Sequence, residues 1–61
     1  MTQEQKAIYL INLFLDAQTN RISFYDARLY ALMTVEELIE NSESEEKRKY
    51  FIEVRTEILK S

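Results

Sequence analysis

The chain has 61 residues, of which 46% are hydrophobic and 31% charged, with a net charge of −3 at pH 7. It contains no Cys, His, Gly or Pro, which removes disulfides, thiolate and imidazole chemistry, and any phosphate loop or calcium turn built on Gly. A chain this short buries only about 60% of its unfolded surface, so stability rests on very good packing or on association.

The absence of Gly and Pro also argues against primed hairpin turns and leaves helix interiors uninterrupted. The expected fold class is all-α, with residues 1–61 as a single helical domain. A first helix is expected over about 3–18, with Thr2 as N-cap and Gln5 completing a capping box. Ala7, Ile8, Leu10, Ile11, Phe14 and Leu15 project onto one broad face, and Tyr9 and Leu13 fall outside it. The apolar run Ala7–Leu15 is too short to span a bilayer, which takes about 20 residues. Lys6 ahead of it is cancelled by Glu4, and no small-residue cleavage pattern follows, so no targeting signal is read here. A cytoplasmic location without membrane contact is the expectation.

Thr19–Ser23 reads as a tight connection between helices. Asn20 suits a left-handed helix end, Ser23 caps the next helix with Asp26 three residues on, and Ile22 is placed to staple onto Ala27. The second helix is expected over about 24–41. Thr34 followed by Glu37 mimics another capping box, yet Phe24, Ala27, Ala31, Leu32, Val35, Leu38 and Ile39 stay on one stripe across Thr34. One continuous helix follows from that phase. Ser42 or Ser44 then caps a third helix ending near residue 60, with Glu45 and Glu46 in its first turn. Tyr50, Phe51, Val54 and Ile58 make its core stripe, Ile52 and Leu59 its edge, and Glu45 pairs with Lys49 across one turn. Three near-equal helices on short turns predict an antiparallel three-helix bundle; a helical hairpin that dimerises into a larger bundle is the alternative.

The chemistry-bearing residues are mainly carboxylates. Glu36, Glu37, Glu40, Glu43, Glu45 and Glu46 lie on predicted solvent faces, whereas acid–base catalysis by paired carboxylates needs a concave site that splits their pKa values. No enzyme activity, cofactor or metal is expected. A helix-turn-helix reading would make Val35–Asn41 the recognition helix, and that segment carries three Glu and no Lys or Arg. Phosphate repulsion argues against it.

The start of the chain is similar to the Rop family of plasmid RNA-modulator proteins, which are antiparallel helical-hairpin dimers. Met1, Thr2, Lys6, Phe14, Gln18 and Thr19 fall in the same register. That resemblance implies RNA contact through Phe14 and Gln18. It covers about the first third of the chain; the accompanying basic positions read Gln3 and Tyr25 here, and the turn comes far earlier. On the pattern of the helix itself, Phe14 is a core residue.

Among the tyrosines, Tyr25 and Tyr50 border their core stripes and are expected to pack there with hydroxyls in solvent. Tyr30 lies off the stripe near Leu29 and Met33, as Tyr9 and Leu13 do on the first helix. These five, Tyr9, Leu13, Leu29, Tyr30 and Met33, are the candidate partner-binding residues, unless a third helix covers them. The functional expectation is a small regulatory or adaptor protein, an inhibitor or modulator of a larger protein, acting through helix surfaces and as a homodimer. Its size and compact charge suit a phage or mobile-element product. The alternative is a nucleic-acid-binding helical dimer that pools Lys47, Arg48 and Lys49, against the acidic balance of the chain.

Overall fold

The computed structural model describes residues 1–17 and 23–61. It holds three helices, α1 (Gln3–Ala17), α2 (Phe24–Glu40) and α3 (Glu45–Lys60), each packed on the other two. No strand occurs among the described residues. The start of α3 lies beside the start of α1, where the Tyr50 hydroxyl donates to the Met1 carbonyl at 2.9 Å. The start of α2 lies beside the end of α3, where Arg28 donates to the carbonyls of Ile58 and Leu59. The helices therefore run up, down and up along a body of 37 × 19 × 17 Å.

Local chemistry sets the helix ends. Thr2 and Gln5 form the reciprocal box: the Gln5 amide donates to Thr2 Oγ1 at 3.1 Å, and the Thr2 amide donates to Gln5 Oε1 at 3.0 Å. Ser23 accepts from the Asp26 amide and Ser44 from the Lys47 amide, each at 3.1 Å. Ser42 has a different task, donating its hydroxyl to the Leu38 carbonyl and closing α2. The continuity of α2 is explained at Thr34. Its hydroxyl donates backwards to the Tyr30 carbonyl at 3.0 Å and caps no new helix. Asn20 and the Ile22 staple lie outside the described residues.

The core is narrow. Its buried members are Ala7, Leu10 and Ile11 of α1, Ala27, Ala31 and Val35 of α2, and Val54 and Ile58 of α3. Phe14, Leu15, Leu32, Ile39, Tyr50 and Phe51 pack against it, half-buried. Side chains one residue from a buried position sit about 100° round the helix, and those two residues away about 200°. Three core expectations are corrected. Ile8 follows Ala7 and is exposed at the α1–α3 groove. Tyr25 stands two residues before Ala27 and is 62% exposed, so it does not pack. Phe24 falls nearly a full turn ahead of Ala27, beyond the end of the core, and is also exposed. Tyr50 packs as expected, and its hydroxyl at the surface donates to backbone. Glu45 pairs with Arg48 at 2.8 Å, where Lys49 was expected to be its partner.

Arg28 supplies a cross-helix cap that the sequence does not announce. The last carbonyls of a helix lack intrahelical donors and carry the negative end of its dipole. The guanidinium of Arg28 meets two of them from a neighbouring helix, Nε reaching Ile58 and Nη2 reaching Leu59, both at 3.1 Å.

Two stability outcomes follow. Ser44→Ala should lower unfolding free energy by about 1 kcal/mol through loss of the α3 cap, read from urea denaturation. Arg28→Met keeps the stem and loses both hydrogen bonds, and should cost about 1–2 kcal/mol with faster amide exchange at the end of α3.

Candidate functional site

A helix buries one stripe, and what lies opposite that stripe is fixed by spacing. Tyr9 and Leu13 stand two residues from Ile11, one on either side, and Leu29 and Met33 likewise flank Ala31. Each therefore points about 200° away from a buried neighbour. All four are exposed, from 42% at Leu29 to 63% at Met33. Tyr30, one residue from Ala31, is exposed at the seam between α1 and α2, where its ring meets Phe14 with centroids 5.8 Å apart. The third helix covers none of the five, since α3 packs against the buried stripes of α1 and α2.

Four of the five divide between two outward faces, and Tyr30 stands at the seam between α1 and α2. Tyr9 and Leu13 form a stripe on α1, with the Lys6 ammonium 5.2 Å from the Tyr9 ring centroid. Leu29 and Met33 form a stripe on α2, with Tyr25 exposed one turn before Leu29. Tyr25, Ile52 and Leu59 extend the apolar surface beyond the residues singled out from sequence. Ile52 and Leu59 stand at the edge of the α3 stripe, where the sequence places them, whereas Tyr25 was expected to pack.

Charged groups frame these stripes. Asp26, Glu37 and Glu40 are exposed on α2, and Glu36 is joined to Arg55 of α3 at 2.9 Å. The basic run on α3 does not gather into a patch. Arg48 is held by Glu45 and reaches the Ser42 carbonyl, while Lys47 and Lys49, two residues apart, point to different sides of the helix. Phe14, the position the Rop resemblance would carry to RNA, packs against the core and Tyr30. Gln18 lies outside the described residues.

The described residues form shallow grooves. One runs between α1 and α3, bordered by Gln3, Glu53, Thr56 and Lys60, and is crossed by a hydrogen bond from Gln3 Nε2 to Glu53 Oε2. Another lies at the α2–α3 turn, bordered by Leu38, Ser42, Glu46, Lys47 and Phe51. Among the described residues no three Asp or Glu converge as metal ligands, and no helix is long and apolar enough to cross a membrane. Set against family models, curated proteins and solved structures, the chain matches none of them.

Proposed function

We propose that this protein is a small non-enzymatic regulatory or adaptor protein that binds a larger protein through the outer face of α2. The observation that carries the reading is the exposure of Leu29 and Met33, two large apolar side chains one turn apart on the outer face of α2. Large apolar side chains on consecutive turns are the usual anchors by which a helix engages a groove. Tyr25 and Tyr30 flank them and add amphipathic contact area.

The rim defines the partner's chemistry. Asp26, Glu37 and Glu40 surround the stripe without a basic residue interposed on the same face. The fitting partner is a protein with an apolar cleft edged by Lys or Arg, and its approach is steered by opposite charge. Masking of that cleft is the direct consequence of binding, which suits an inhibitor or modulator. The nucleic-acid alternative has less support, because the acidic rim repels phosphate and Arg48 is already engaged by Glu45.

The test is Leu29→Lys combined with Met33→Lys. Both positions are exposed, so folding stability should change by about 0.5 kcal/mol or less per site, while capture of a protein partner should be lost. Retained capture by a variant with unchanged helicity would show that another surface binds. Retention on RNA or DNA that falls steeply with salt would favour the alternative instead.

A further inference from the structure

The α1 stripe has a property that the α2 face lacks: it is complementary to itself. Lys6, Tyr9, Leu13 and Asp16 follow one another at intervals of three, four and three residues, the spacing of a helix–helix seam. Its two central residues are apolar and exposed, and its ends carry opposite charges. We infer that α1 pairs with α1 of a second copy of this chain, antiparallel, about a two-fold axis midway between Tyr9 and Leu13.

The register follows from the spacing. An antiparallel seam sets Tyr9 against Leu13 of the second copy, and Leu13 against its Tyr9. Lys6 is then set against Asp16 of the second copy, and the same pair recurs at the other end, as a two-fold interface requires. A parallel pairing would oppose Lys6 with Lys6 and Asp16 with Asp16, and is disfavoured by like charge. Lys6 lies over the Tyr9 ring within its own chain, so its ammonium is already held on this face. Tyr30, resting on Phe14, widens the apolar strip at the α1–α2 seam. The contact leaves Leu29 and Met33 on the far side of α2 open and shares only Tyr30 with the reading given for that face.

The charges permit a clean test. Lys6→Asp turns both end pairs repulsive, and so does Asp16→Lys. Both substitutions suit the helix itself, placing an acid nearer its start and a base nearer its end, so α1 should stay folded, as circular dichroism will show. Sedimentation equilibrium should find a dimer of the unaltered chain, weakened about tenfold or more by either single substitution. Mixing the Lys6→Asp and Asp16→Lys chains should restore a one-to-one dimer, because each then meets its opposite charge. A chain that remains monomeric at about millimolar concentration overturns the inference. So does a dimer indifferent to both substitutions, which would place the contact elsewhere.

Discussion

The fold depends on the small side chains of α2. Ala27, Ala31 and Val35 are completely buried, and they form the whole of the fully buried stripe that α2 gives to the core. Small residues let the neighbouring helices approach closely, so the space between the three axes is narrow and fills quickly. Ile58, Val35 and Val54 are the largest side chains wholly enclosed. Each contributes about 1.5–3 kcal/mol by leaving water. None of the described aromatic rings is fully buried: Phe14, Tyr50 and Phe51 pack at the margin of the core, and Tyr9, Phe24, Tyr25 and Tyr30 are exposed.

That constraint explains why a chain so rich in apolar residues keeps many of them outside. Among the described residues, eleven large hydrophobic residues are exposed, more than the eight that are buried, and three of the eight are alanines. In a larger domain such residues would meet another layer of structure. Here the bundle is one layer deep, and closure at its ends falls to polar groups: the Tyr50 hydroxyl on the first carbonyls of the chain, and Arg28 on the last carbonyls of α3. Both interactions join residues far apart in sequence. They tie α3 to α1 and to α2 at opposite ends of the bundle.

The helices and their order were legible because local signals and periodicity agreed. Thr2, Ser23 and Ser44 cap where spacing places them, and the observed bounds differ from the expected ones by about one residue. Thr34 shows why phase outweighs a motif: the capping-box pattern is present, but its hydroxyl bonds backwards within an unbroken helix. Burial was legible at the centre of each stripe and not at its margins. A helical projection treats Ile8, Phe24 and Tyr25 as neighbours of the core, whereas depth depends on how wide a stripe the other two helices cover, a property of their small residues. Arg28 was invisible as a cap because its acceptors lie thirty residues away. The five candidate contact residues all lie exposed, since each is displaced from a deeply buried neighbour by a spacing the sequence states outright.

The distribution of the tyrosines has an optical consequence. The chain has no Trp, so its near-ultraviolet absorption and emission come almost entirely from four tyrosines and, weakly, three phenylalanines. Tyr9, Tyr25 and Tyr30 are exposed, and the Tyr50 hydroxyl is hydrogen-bonded to backbone. In most domains such chromophores sit in the core and report unfolding. Here three of the four stand exposed, so docking on the faces proposed above would change the intrinsic signal more directly than unfolding does.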